Sequence, residues 1–189
     1  MKRHVELKNG EKILLRHLKK SDVDGVWNNF NEVLKEKAYL PVITPVKSEF
    51  EKRSWYDTIK KEQEVCIVAE HPKLKNPHNI LGQCEISNTE WEAGAHVGIL
   101  GIIVKEEYRD LGIGLHLIDT AIRESKKINN KEKIVLSCFS SNERAINLYK
   151  KMGFQVVGIR KKQFYMDSKY YDEVLMDLWI DDYLEKNES

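Results

Sequence analysis

The chain has 189 residues, enough for one domain with a substantial core and short for two. Hydrophobic residues make up 41% and charged residues 32%, with 10 Gly and 4 Pro, a composition that excludes disordered and collagen-like classes and suits a folded, soluble protein. Lys+Arg (31) and Asp+Glu (30) nearly cancel, and a net charge of +1 gives no ground for a nucleic-acid or membrane-surface partner.

Met1-Lys2-Arg3-His4-Val5 is basic but has no apolar run behind it, so no secretory signal is expected. The longest apolar stretch, 97–104, is too short to span a bilayer. Cys66, Cys84 and Cys138 are widely separated and form no CxxC, which suits reduced, mostly buried thiols in a cytoplasmic protein. The histidines are scattered, no HExxH occurs, and no metal site is expected.

Residues 5–7 and 13–16 flank Asn9-Gly10 and are predicted to form a hairpin, because that dipeptide tolerates the positive φ of a tight turn. Val23, Val26, Trp27, Phe30, Val33 and Leu34 recur at helical spacing behind Ser21-Asp22. Pro41 and Pro45 interrupt the pattern, and Ser48 with Glu51 forms a capping box that opens a second helix to about residue 61. Strands are predicted over 65–69, 80–87 and 96–104, with Gly98 and Gly101 marking a bulge or a close backbone approach. A helix over 112–128 carries apolar residues around much of its circumference, so it is expected to be buried. A strand over 134–139, a helix over 142–152 and two strands over 154–159 and 174–180 complete the chain. The class is α+β (mixed α/β), with one central sheet and helices packed on its faces.

The chemistry concentrates in Ile102-Ile103-Val104-Lys105-Glu106-Glu107-Tyr108-Arg109-Asp110-Leu111-Gly112-Ile113-Gly114-Leu115, which runs from an apolar strand through a charged turn into a helix that opens on two glycines. The first-turn amides of a helix have no intrahelical partners, and the helix dipole adds partial positive charge there. Gly112 and Gly114 let a bulky diphosphate approach the backbone, and Arg109 adds a full positive charge. A Walker A loop is absent, and a dinucleotide fingerprint lacks its third glycine. A second pattern follows, Asn142-Glu143-Arg144-Ala145-Ile146-Asn147-Leu148-Tyr149-Lys150-Lys151-Met152-Gly153-Phe154.

R-x-x-G-x-G between strand and helix, followed by N-x-x-A-x-x-x-Y-x-x-x-G-F, resembles the paired signatures of the GNAT superfamily of acetyl-CoA-dependent N-acetyltransferases. The resemblance covers about 81–177, and the first 60 or so residues match the family's variable region loosely. It implies a single N-acetyltransferase domain over 1–189, with a variable two-helix acceptor region over 1–62 and an acetyl-CoA-binding core over 81–180. It also implies the GNAT acyl-CoA N-acyltransferase fold: a single central, mostly antiparallel sheet whose fourth and fifth strands splay apart, here 96–104 and 134–139, with helices on both faces. Carried over, pantetheine goes to the Ile102, Ile103 and Val104 backbone and the diphosphate to Asp110, Leu111, Gly112, Ile113, Gly114 and Leu115 with Arg109. Asn142 would contact the cofactor arm and Tyr149 would face the thioester sulfur. No metal is implied, and the family resemblance allows a homodimer.

The expected reaction is direct transfer of acetyl from acetyl-CoA to a primary amine, with a small-molecule acceptor preferred over a protein N-terminus or lysine. A non-catalytic acyl-CoA sensor is the rival. An amine of pKa near ~10.4 costs about 4.6 kcal/mol to deprotonate at pH 7, so the site must supply a base or lower that pKa. The oxyanion needs a donor, and one backbone N–H of the splayed strand supplies about 3 kcal/mol. Tyr149 is the candidate acid for the thiolate. Ribosomal-protein acetylating members carry a Glu where this chain has Ser137, and others carry one near Gly98 or Ile99. That leaves His96 and Glu85 as candidate bases; the ordinary alternatives are a strand histidine turned away from the cleft and a solvated glutamate. The acceptor wall is expected to include Glu32, Glu36, Tyr39 and Trp55, interleaved with Lys35, Lys37 and Lys47.

Overall fold

The computed structural model describes residues 1–187, so the last two residues of the expected domain over 1–189 lie outside the described residues. Strands β1 (Lys2–Glu6) and β2 (Lys12–His17) form the expected hairpin, with Gly10 at φ 84°. Helices α1 (Val23–Lys35) and α2 (Glu49–Lys61) follow, and the Ser48 hydroxyl caps α2 by accepting from the Glu51 amide at 3.4 Å. Then come β3 (Val65–Glu70), β4 (Ile80–Asn88), β5 (Val97–Val104), α3 (Ile113–Asn129), β6 (Lys133–Phe139), α4 (Glu143–Lys151), β7 (Gln155–Met166), β8 (Lys169–Trp179) and α5 (Ile180–Asn187).

All eight strands form one sheet in the order β1-β2-β3-β4-β5-β6-β8-β7. Every neighbouring pair is antiparallel except β5 and β6. That parallel pair holds together only from Val97↔Lys133 to Ile99↔Val135. Beyond it β5 stays on β4 as far as Val104 and β6 stays on β8 as far as Phe139, so the two strands diverge and leave a V-shaped gap.

Two apolar layers cover the two faces. On one, Leu117, Ile118, Ala121 and Ile122 of α3 pack with Ile67, Leu81, Ile86, Leu100 and Ile134. On the other, Val26 of α1 and Ile59 of α2 pack with Cys66, Val68 and Ile80, with Trp55 beside them. Burying each such aliphatic side chain contributes about 1.5–3 kcal/mol, which anchors the helices that flank the gap.

The structure corrects three expectations. The β4–β5 register is continuous, so neither glycine marks a bulge. Gly98 serves a close approach, because a Cβ there would lie 2.4 Å from Ile86 Cγ2, whereas a Cβ on Gly101 would meet nothing within 4 Å. The last two strands are longer than 154–159 and 174–180, since they run to a tight turn at Asp167 and Ser168, both at positive φ. Arg160-Lys161-Lys162-Gln163 hides that extension by carrying no apolar alternation. Ile180 opens the unforeseen α5 instead of ending a strand. Among the described residues no helix is long and apolar enough to cross a membrane.

Candidate active site

A cleft of about 400 Å³ opens in the gap. Its walls come from β5 (Leu100 to Val104), the turn before α3, the first residues of α3, Ser137 and Cys138 of β6, Asn142 and Tyr149 around α4, and Tyr39, Leu40 and Pro41 after α1. Of the residues carried over to the cofactor, Ile102, Ile103, Val104, Arg109, Asp110, Gly112, Gly114, Leu115, Asn142 and Tyr149 line this one cleft.

Leu111 and Ile113 do not. Ile113 is buried in the core beneath α3, and the Leu111 side chain packs against the same core while its carbonyl accepts from the Lys8 amide at 3.2 Å. What those two positions offer an anion is backbone. Gly112 caps α3 at φ 97°, and a Cβ there would meet nothing within 4 Å, so the helix mouth is an open cradle. Gly114 has a second reason to be glycine: a Cβ would lie 3.1 Å from Leu148 Cδ2 on α4. A diphosphate fits such a cradle because the first-turn amides point into it.

The cation expected to face that anion is already engaged. Arg109 donates through Nε to the Val104 carbonyl at 3.0 Å and through both terminal nitrogens to Glu36 at 2.6 and 2.5 Å. Tyr39 lies against it, 5.0 Å from ring centroid to guanidinium, and Arg144 approaches the same ring at 5.4 Å. The cations on the cleft wall that sequence reasoning did not single out are Lys8, Arg144 and Lys151. Arg144 was visible inside the N-x-x-A motif. Lys8 comes from the first hairpin, more than 100 residues away, and carried no signal.

Asn142 is the N-cap of α4, its side-chain oxygen accepting from the Ala145 amide at 3.2 Å. Tyr149 is buried against Phe154, with ring centroids 5.8 Å apart. Burial above all, then the neighbouring Cys138 and Cys84 sulfurs, pushes its phenol well above the ordinary range, so it holds its proton at neutral pH. Burial likewise pushes the Cys138 thiol up to about 11, which suits an inert wall residue.

The two candidate bases part company. His96 precedes β5, is exposed, and sits at the closed end of the gap, where its carbonyl accepts from the Glu132 and Lys133 amides at 2.8 and 3.2 Å. It does not line the cleft, and this corrects its candidacy: the strands are still paired at its end of β5. Glu85 does not line the cleft either, but it pairs directly with Gly101, which does, so its side chain projects on the α1–α2 face beside the open position that Gly101 leaves. It is not solvated. Burial raises its carboxyl to about 7, repulsion from Glu64 adds to this, and a 3.1 Å hydrogen bond donated by Trp55 Nε1 opposes both. Of the expected acceptor wall, Tyr39 lines the cleft, Glu36 binds Arg109, Glu32 pairs with Lys35 in solvent, and Lys37 reaches Asp167 of the β7–β8 turn at 3.3 Å.

A splayed mixed sheet with a glycine-led helix mouth at one end of the gap and a buried phenol inside it defines an acyl-coenzyme A transferase fold. The chain belongs to the acetyltransferase (GNAT) family, whose model matches residues 27–154. Over 71 residues it is 39% identical to an N-alpha-acetyltransferase of Sulfurisphaera tokodaii, covering 38% of this chain and 42% of that protein. Over 88 residues it is 27% identical to the spermidine N(1)-acetyltransferase of Escherichia coli strain K12, covering 47% of each. The chain thus spans less than half the length of these curated relatives. The fold matches the crystal structure of an N-acetyltransferase from Staphylococcus aureus Mu50, with TM-score 0.80 and 22% identity over 89% of this chain and 98% of that one. It also matches an acetyltransferase from Salmonella typhimurium solved with its cofactor acetyl-CoA, with TM-score 0.80 and 17% identity over 89% and 94%.

Proposed function

We propose that the protein transfers acetyl from acetyl-CoA to the nitrogen of a small-molecule primary amine by direct attack, with Glu85 taking up the amine proton through a water and Tyr149 protonating the departing thiolate. The cosubstrate supplies the activated acetyl thioester. Ile102, Ile103 and Val104 would hold its pantetheine along the free edge of β5, and the amides from Asp110 to Leu115 would hold its diphosphate, aided by Lys8 and Arg144. The observation that carries the reading is Glu85: a carboxyl held near neutrality, paired across the sheet with Gly101, a β5 position that lines the cleft and carries no side chain. A base poised near the working pH is the efficient kind.

Support for a small acceptor comes from the segment after α1, which is tied to the cofactor turn through Glu36–Arg109 and to the β7–β8 turn through Lys37–Asp167. Those ties would hold the segment beside the cleft, which favours a compact acceptor over a long polypeptide. The local identity to an N-alpha-acetyltransferase favours a second reading, a protein N-terminus as acceptor. A thiol-release screen across polyamines, amino acids, aminoglycosides and N-terminal peptides separates them. Turnover of small amines is expected; turnover confined to peptides would transfer the assignment to the second reading, and silence on every amine despite acetyl-CoA binding would leave a sensor.

A further inference from the structure

We infer that Trp55 is a positioning residue for this transfer, its indole N–H holding the Glu85 carboxyl in one orientation beside Gly101 without competing for the proton that the carboxyl must accept. The inference rests on the reading of Glu85 as the base.

The geometry singles out this carboxyl. Among the buried or half-buried carboxylates of the described residues, Asp22, Glu36, Glu70, Asp119 and Glu173 each face an arginine, Asp172 and Asp177 a lysine, Glu124 the His17 ring, and Glu64 the Asn88 amide. Glu85 faces an indole instead, Trp55 Nε1 to Oε2 at 3.1 Å. A guanidinium would lock the carboxylate in its ionised form and hold it well below neutrality. An indole N–H is a donor only and never ionises, so it orients the oxygen and favours the carboxylate modestly.

The donor is itself held. Trp55 meets Trp27 edge-on at 5.2 Å, and Trp27 meets Phe30 the same way at 5.2 Å, so three rings from α1 and α2 set the indole plane. Other titratable neighbours are few. Glu64, just before β3, repels the carboxyl. Cys66, its partner on β3, and Cys84, beside it on β4, are raised by burial and stay as thiols, and Lys60 of α2 acts on Cys66. The α1 carboxylates are turned elsewhere, Asp24 to Lys52 and Glu32 to Lys35, and β5 presents only Gly101.

The test is the pH profile of kcat/KM for three variants of the full chain. Trp55→Phe keeps the ring contacts and removes the donor, so the midpoint of the acidic limb is expected to rise by about one pH unit, with KM for acetyl-CoA unchanged. Trp27→Phe keeps the donor and should leave the midpoint in place. A folded Trp55→Phe with the wild-type midpoint overturns the inference. Glu85→Gln tests the reading beneath it: a retained acidic limb there removes Glu85 as the base, whatever Trp55 does. Should Trp55→Phe fail to fold, the wild-type chain decides by isotope labelling of its tryptophans. One of the four indole N–H signals should move with the acidic-limb midpoint and stop moving in Glu85→Gln, and four unresponsive indoles would overturn the proposal.

Discussion

A phenol kept protonated by burial and a carboxyl raised to about 7 by the same cause are the two groups given proton transfer in the proposed reaction. Their roles predict different losses. Coenzyme A thiolate, judged from a cysteine at about 8.5, leaves without much help, so Tyr149→Phe should lower kcat by roughly 10- to 10³-fold rather than abolish it, measured by single-turnover thiol release. Glu85 also costs the fold something. A carboxyl raised from 4.5 to about 7 contributes stability that is whole below the unfolded pKa and lost as pH rises through the folded one, about 3 kcal/mol in all. Glu85→Gln keeps an acceptor for Trp55 and has no proton to lose. It should therefore melt above wild type at pH 8, with the gap closing by pH 4–5, while turnover falls.

At the level of elements, the segment after α1 is tied to the turn that opens α3. Glu36, just past the end of α1, takes both terminal nitrogens of Arg109, whose third nitrogen binds the last carbonyl of β5. Glu36 thereby competes with any anion for that guanidinium. Glu36→Gln should free Arg109 and loosen the Tyr39–Pro41 wall together. KM for the amine is expected to rise roughly 5- to 50-fold, about 1–2.3 kcal/mol, while calorimetry finds acetyl-CoA bound no more weakly. A matched loss of both affinities would mean that Arg109 acts mainly as a scaffold. None of this was legible beforehand, because Glu36 and Arg109 lie 73 residues apart and the charges around Glu36 alternate like any solvated surface. The helix mouth was legible, because its glycines and Arg109 sit within six residues and their effect on the backbone is local.

Across the whole molecule, Asp119 of α3 ties the two ends of the chain to the core. Burial pushes its carboxyl up, but hydrogen bonds from Arg3 of β1, from Arg123 and from Tyr183 of α5 outweigh it and hold the carboxyl below its ordinary value. The stability this contributes is present above the unfolded pKa and lost as pH falls through the folded one. Asp119→Asn should lower Tm at pH 7, with the difference shrinking as wild type protonates in acid; an equal gap at both pH values would assign the loss to packing. On the proposed reading, cofactor capture is also a property of the assembled chain. Lys8, Arg144 and Lys151 reach one cleft from the first hairpin and from α4, so the affinity for coenzyme A should fall steeply with salt in calorimetry.

The elements, the helix mouth and the family signature could be read directly from the chain, since period, turn chemistry and unpaired first-turn amides act over a few residues. Where each candidate base stands relative to the gap could not. His96 and Glu85 both lie on or beside predicted strands, and their fate depends on where β6 leaves β5 and on which residue faces Gly101 across the sheet. The neutral partner of Glu85 was equally hidden, since Trp55 stands 30 residues away on a helix whose face is chosen by packing. Register, strand divergence and burial arise from contacts distant in sequence, and these raise one carboxyl toward neutrality and leave one histidine in solvent.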